Sequence, residues 1–169
     1  RSPTLASGTA VHYAVEQWLY DQNGKVPTPA QINALGDAGL VEEWKELPKS
    51  DREKLVKKFS PGVYRALGRI PEWVWTSDWI VEANVAAKFE YEDLTVRVHG
   101  RPDLYRTYTD SEGTPTIEVV DIKTTKTNPM SYVLWSPQVR IYCAILAVHH
   151  PGHLIVYRYV CVPTGPSDV

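Results

Sequence analysis

Two aspartates and a lysine carry the most specific chemistry in this chain: Asp103, Asp121 and Lys123. Residues 109–115 (TDSEGTP) are dense in turn formers, and runs of β-branched and aromatic residues lie on either side. The stretch from His99 to Lys123 therefore reads as a β-hairpin. A turn centred on Glu112 sets Asp103 directly across from Asp121. Cross-strand neighbours have Cβ atoms about 5 Å apart, and like charges there repel. Period-two alternation puts Val119, Asp121 and Lys123 on one face of the second strand. Two carboxylates and an ammonium thus converge at one sheet end, and a divalent cation between the acids would turn repulsion into attraction. A solvated surface hairpin is the bland alternative. Against it, Ile117, Val119, Val120 and Ile122 make the strand apolar on both faces, as in a central strand. Charges at the end of a buried strand require a reason.

Gly100-Arg101-Pro102-Asp103 followed by Asp121-Ile122-Lys123 resembles the pattern of the PD-(D/E)XK nucleases. Gly8-x-x-x-His12-x-x-x-Glu16 upstream and Gln138-x-x-x-Tyr142 downstream resemble its RecB-like exonuclease branch, and the order of the four pieces matches. The resemblance implies that His12, Asp103, Asp121 and the Ile122 carbonyl hold one or two Mg²⁺ or Mn²⁺ ions. Imidazole plus two carboxylates is a donor set that suits these ions. Glu82, in an apolar stretch, is a further candidate ligand, with an outward, solubilising glutamate as the alternative. Lys123 would position or deprotonate the attacking water; neighbouring acids raise a lysine's pKa, which favours the positioning role. By the resemblance Gln138 and Tyr142, at i and i+4 on one helix face, would hold the DNA strand and the lysine end of the site, with Glu16 and Thr124 as further substrate-side candidates; core packing of Tyr142 and a solvated Glu16 are the alternatives. The implied products carry a 5′-phosphate and a 3′-hydroxyl.

The elements that must position these residues follow from the pattern. Ser7 can cap a helix over 8–22 ended by Gly24, with Val11, Val15, Trp18 and Leu19 as its apolar stripe. Pro27-Thr28-Pro29 opens a helix over 30–46, and Ser50-Asp51-Arg52-Glu53 is a capping-box pattern for a basic helix through Lys58. Ser60-Pro61 starts another short helix ending near Gly68. From Asp78 the period changes: a strand over 80–92, then one over 94–98 after a tight turn, the alternative being one long bent strand over 95–108 into the hairpin. Ser136-Pro137 is an N-cap and N1 pair for a helix to His149, before a final strand over 154–162. The order gives an α/β class: a restriction-endonuclease-like core with a central mixed β-sheet flanked by helices. The 169 residues read as one nuclease domain, with 25–75 as an N-terminal helical insertion and 78–162 as sheet and core helix.

Composition sets few limits. The net charge of −2 does not advertise nucleic-acid binding, but a metal-dependent nuclease uses carboxylates in its site. Lys54, Lys57, Lys58, Arg65 and Arg69 read as a wet helical face, and Trp73, Trp75 and Trp79 as packing aromatics. His149, His150 and His153 sit at a helix C-terminus, where cations are favoured. Cys143 and Cys161 lie in apolar patterns and read as buried thiols in a reducing, cytoplasmic setting. Two cysteines are too few for the four-cysteine iron–sulfur cluster of CRISPR-associated RecB-like exonucleases, so none is expected. No apolar run approaches the length of a membrane span, and no signal peptide is evident. The chain opens on Arg1 without methionine and carries no helicase motif, which fits an excised or stand-alone nuclease domain. The expected function is a metal-dependent DNA nuclease, an exonuclease in particular, acting on DNA ends or single strands in repair or recombination. A recombination protein or a second copy of the chain is the expected protein partner. The competing readings are a non-catalytic module that binds DNA ends or junctions on the same fold, and a metal hydrolase of small phosphoesters.

Overall fold

The structure, a computed structural model, describes residues 3–22, 24–125 and 136–164. It is α/β, with a central mixed sheet of four strands, as the sequence order requires. The described residues cluster into two compact units. The first holds residues 3–78 with 122–125 and 160–164; the second holds 79–121 with 136–159.

Four helices dominate the first unit: α1 (Pro3–Gln22), α2 (Pro29–Glu43), α3 (Lys49–Leu67) and α4 (Glu72–Thr76). Val11, Val15, Trp18 and Leu19 are buried as the stripe predicts, joined by Ala6, Ala10 and Ala14. The helix begins before Ser7, which is buried inside it and is not its cap. Thr28 caps α2 with a complete capping box, its hydroxyl accepting from the Gln31 N–H while the Gln31 side chain accepts from the Thr28 N–H. The box expected at Ser50–Glu53 does not form; Pro48 is the N-cap of α3 and no side chain caps it.

The largest departure is that α3 runs through Pro61 as one helix. An internal proline costs roughly 3 kcal/mol. Ser60, Val63, Ala66 and Leu67 are buried where α3 packs on α1 and α2, and burying such side chains outweighs that cost. Across the α2–α3 contact, Asp37 Oδ1 accepts hydrogen bonds from Ser60 Oγ and Tyr64 Oη, both at 2.5 Å. Burial and this acceptor raise the Tyr64 pKa.

The second unit contains β1 (Ile80–Val81), β2 (Val85–Tyr91), β3 (Leu94–Gly100), β4 (Leu104–Thr109), α5 (Pro137–His149), and most of β5 (Pro115–Thr125) and β6 (Leu154–Pro163). The large sheet has the order β1-β4-β5-β6, while β2 and β3 form a separate two-stranded hairpin. The expected strand over 80–92 is therefore broken at residues 82–84. The long bent strand also breaks, at residues 101–103, because Pro102 has no N–H to continue a ladder. The β4–β5 register matches the hairpin reading: Leu104 pairs with Val120 and Thr109 with Pro115. Its turn explains why. Asp110 Oδ1 accepts from the N–H groups of Glu112 (2.9 Å) and Thr114 (2.8 Å), and Gly113 takes a φ of +84° that suits glycine. Val85, Ala87, Ile117, Val119, Tyr142, Ile145 and Leu146 form the core between sheet residues and α5.

Candidate active site

β4 begins one residue after Asp103, and its ladder ends at Leu104–Val120. Asp103 and Asp121 thus occupy the next register step beyond the paired strands. Asp121 is 1% exposed and Asp103 is half-buried. The Gln138 amide donates to Asp121 Oδ1 at 3.1 Å and to Tyr142 Oη at 3.2 Å, and Tyr142 Oη donates to the Arg101 carbonyl at 2.8 Å. Gln138 and Tyr142 do share a face of α5, and that face reaches the buried aspartate. The i, i+4 spacing is what lets one amide contact both groups.

Glu82 sits just past β1 with φ +46°, a left-handed conformation that costs a non-glycine residue about 1 kcal/mol or more. Three contacts hold it there. Its N–H donates to the Asp103 carbonyl at 2.8 Å, its carbonyl accepts from Arg101 Nε at 3.1 Å, and its carboxylate pairs with the same guanidinium. A carboxylate oxygen of Glu82 and one of Asp103 lie within 4.8 Å of each other. Carboxylate oxygens are the donors that hard divalent cations take, so this pair is a candidate for holding one.

In the first unit, Gly8 lies against Thr124. A Cβ on Gly8 would stand 2.6 Å from Thr124 Oγ1, so the glycine lets α1 approach the end of β5. His12 and Glu16 are half-buried on α1; Lys123 and Thr124 are half-buried on β5, and Ile122 is buried.

A family model described as the PD-(D/E)XK nuclease superfamily matches residues 1–164. The chain belongs to the PD-(D/E)XK nuclease superfamily. No curated protein matches it. Among solved structures, the crystal structure of SSO0001 is similar at 12% identity, covering 90% of this chain and 70% of that one with a TM-score of 0.38.

Membership of this superfamily implies a nuclease or phosphodiesterase of a kind that commonly uses divalent metals, and the acidic pair of Glu82 and Asp103 is a candidate metal site. No described helix is long and apolar enough to cross a membrane. Lys54, Lys57, Lys58, Arg65 and Arg69 are exposed, and Trp75 and Trp79 are buried, as the bland readings hold, whereas Trp73 is exposed and does not pack in the core. Trp79 also lies under the Arg106 guanidinium, 4.7 Å from its centroid. Cys143 and Cys161 are not joined in a disulfide and are half-buried where the apolar patterns suggest full burial, and burial pushes the Cys143 thiol up.

Two features escape the sequence reading of this nuclease. Glu118, in the middle of β5, is 2% exposed and holds two guanidinium groups. Arg106 donates to its Oε2 from Nε (2.9 Å) and Nη2 (2.6 Å), and Arg158 Nε donates to Oε1. A lone charge inside the apolar run 117–120 is the signal that could have revealed it. The second is Tyr157 on β6, whose hydroxyl is buried.

Proposed function

We propose that this PD-(D/E)XK nuclease is a Mg²⁺- or Mn²⁺-dependent deoxyribonuclease, an exonuclease of the RecB-like kind acting on DNA ends or single strands. The proposal treats the chain as one nuclease domain. The observation that carries it is the convergence of acids at the start of β4: Glu82 and Asp103 with oxygens within 4.8 Å, and Asp121 buried at the same register step as Asp103. In this reading His12, Asp103, Asp121 and the Ile122 carbonyl hold the ion, with Glu82 as a further ligand. A bound dication lowers the pKa of a coordinated water and neutralises phosphate charge.

The chain's own residues do the rest. Lys123 orients the attacking water and offsets negative charge that develops at phosphorus. Gln138 fixes one Asp121 oxygen by its hydrogen bond and so would orient the carboxylate that holds the ion. Tyr142 anchors Gln138 and is itself anchored on the Arg101 carbonyl. Glu16 and Thr124 face the DNA backbone. Recombination or repair of DNA ends is the setting this activity suits, with a partner protein or a second copy for processivity.

The test is cleavage of linear DNA in Mn²⁺ by the wild type, Asp121→Ala and Lys123→Ala. Losing a metal ligand or the lysine should lower the rate at least 100-fold, roughly 3 kcal/mol of transition-state stabilisation. Equal cleavage by wild type and Asp121→Ala, or tight DNA binding with no metal-dependent cleavage by the wild type, would sink the catalytic reading. Turnover of a nucleotide ester but not of polymer would move the substrate to small phosphoesters.

A further inference from the structure

β6 adjoins β5 in the large sheet, and Tyr157 packs against the core that contains Val119 and Tyr142. Its ring stands 5.2 Å from that of Tyr159 at 49°. The Tyr157 hydroxyl is buried and makes no hydrogen bond among the described residues. A phenol in that state is costly, because desolvation of an O–H is ordinarily offset by an acceptor. Burial, and then the negative charge of Asp121 with a smaller contribution from Asp103, hold its proton on. The Arg158–Glu118 ion pair sets those two side chains on one face of the sheet, so Tyr157, packed against Ile117 and Val119, lies on the opposite face, the one that carries Asp121.

We propose that Tyr157 is a positioning residue of the metal site, donating a hydrogen bond to a water of the dication's hydration shell beside Asp121. This rests on the metal-dependent reading above. It explains why a hydroxyl, and not the better-packing phenyl ring alone, occupies this place on β6. A donor to a metal-bound water holds that water in one orientation, and so affects both ion affinity and the direction of attack.

The experiment compares wild type, Tyr157→Phe and, as a control on the neighbouring ring, Tyr159→Phe. Mn²⁺ affinity is measured by calorimetry on the metal-free protein, beside its melting temperature and Mn²⁺-dependent cleavage of linear DNA. Tyr157→Phe should weaken Mn²⁺ binding about 5–10-fold, the value of one lost hydrogen bond. Its metal-free melting temperature should stay level or rise, and part of the lost cleavage should return at saturating Mn²⁺. Tyr159→Phe should change neither affinity nor melting. Unchanged Mn²⁺ affinity in Tyr157→Phe overturns the proposal while leaving the nuclease reading intact. So does a lowered melting temperature or failure to fold, since the hydroxyl would then be supporting the structure. Absence of Mn²⁺ binding by the wild type removes the nuclease reading and this proposal together.

Discussion

Gly100→Ala should destabilise the protein and loosen the candidate site, although it adds only a methyl group to a strand. A Cβ on Gly100 would stand 2.7 Å from Tyr142 Cδ1, closer than real Cβ atoms approach, and 3.6 Å from Ile145 Cδ1. Neither side can retreat freely. Gly100 pairs with Val85 in the β2–β3 ladder, and the Tyr142 ring is buried in the core with its hydroxyl bound to the Arg101 carbonyl. Overpacking of this kind costs about 1–3 kcal/mol. A displaced Tyr142 would add the loss of a hydrogen bond, about 1 kcal/mol. Alanine returns roughly 0.5–1 kcal/mol over glycine in a strand. The net is a loss of about 1–3 kcal/mol, or roughly 2–10 °C in melting temperature for a chain of this size. Circular dichroism melts and urea titrations of wild type, Gly100→Ala, Tyr142→Leu and the double variant measure it. In the Tyr142→Leu background, Gly100→Ala should cost little, giving a coupling of about 1 kcal/mol or more. An unchanged or raised melting temperature for Gly100→Ala, or additive effects in the cycle, would refute the steric reasoning.

Other expectations follow from the acids and histidines of the second unit. Glu118→Gln removes the charge that Arg106 and Arg158 share, and should cost about 1.5–3 kcal/mol by chemical denaturation, the range for hydrogen bonds to charged groups. No loss of stability would mean that the partly exposed arginines are satisfied by water instead. Burial, and then the charges of His153 and His149, lower the His150 pKa from 6.5. The unfolded chain therefore binds the proton more readily, so His150 contributes stability above about pH 6.5 that is lost as the pH falls below it. Melting temperatures of His150→Gln between pH 7.5 and 5 should decline less than those of the wild type; equal slopes would count against the assignment.

The register of the β4–β5 hairpin was legible because its signals are local. Asp110 and Gly113 specify the turn, and a two-residue period leaves few alternatives once the turn is set. The paired face of Gln138 and Tyr142 was legible for the same reason, since i, i+4 spacing is a property of any helix. The passage of α3 through Pro61 was not. Its cause is burial against α1 and α2, which no window of local sequence reports. The left-handed Glu82 was hidden too: an acid in an apolar run looks like a strand residue, and it is Arg101, nineteen positions away, together with the Asp103 carbonyl that holds it otherwise. Glu118 shows the same limit from the other side. Its isolation among apolar residues announces a buried charge, but its arginine partners lie on two other strands.

The segment Gly100-Arg101-Pro102-Asp103 shows what a short motif contains physically. Gly100 is where the Tyr142 ring meets the backbone, so a side chain there is excluded. Arg101 contributes its carbonyl to Tyr142 and its guanidinium to Glu82, tying α5 and the end of β1 to the same point. Pro102 ends the β3 ladder and lets the chain leave one sheet for the other. Asp103 then presents its carbonyl to the Glu82 N–H and its carboxylate within 4.8 Å of that residue's. Three of the four residues bind no ion in the proposed reading; their work is to bring α5, β1 and β4 to a single corner. An aspartate moved elsewhere in the chain would keep its charge and lose all three supports. The acid has its chemistry because the preceding residues determine where the strands part.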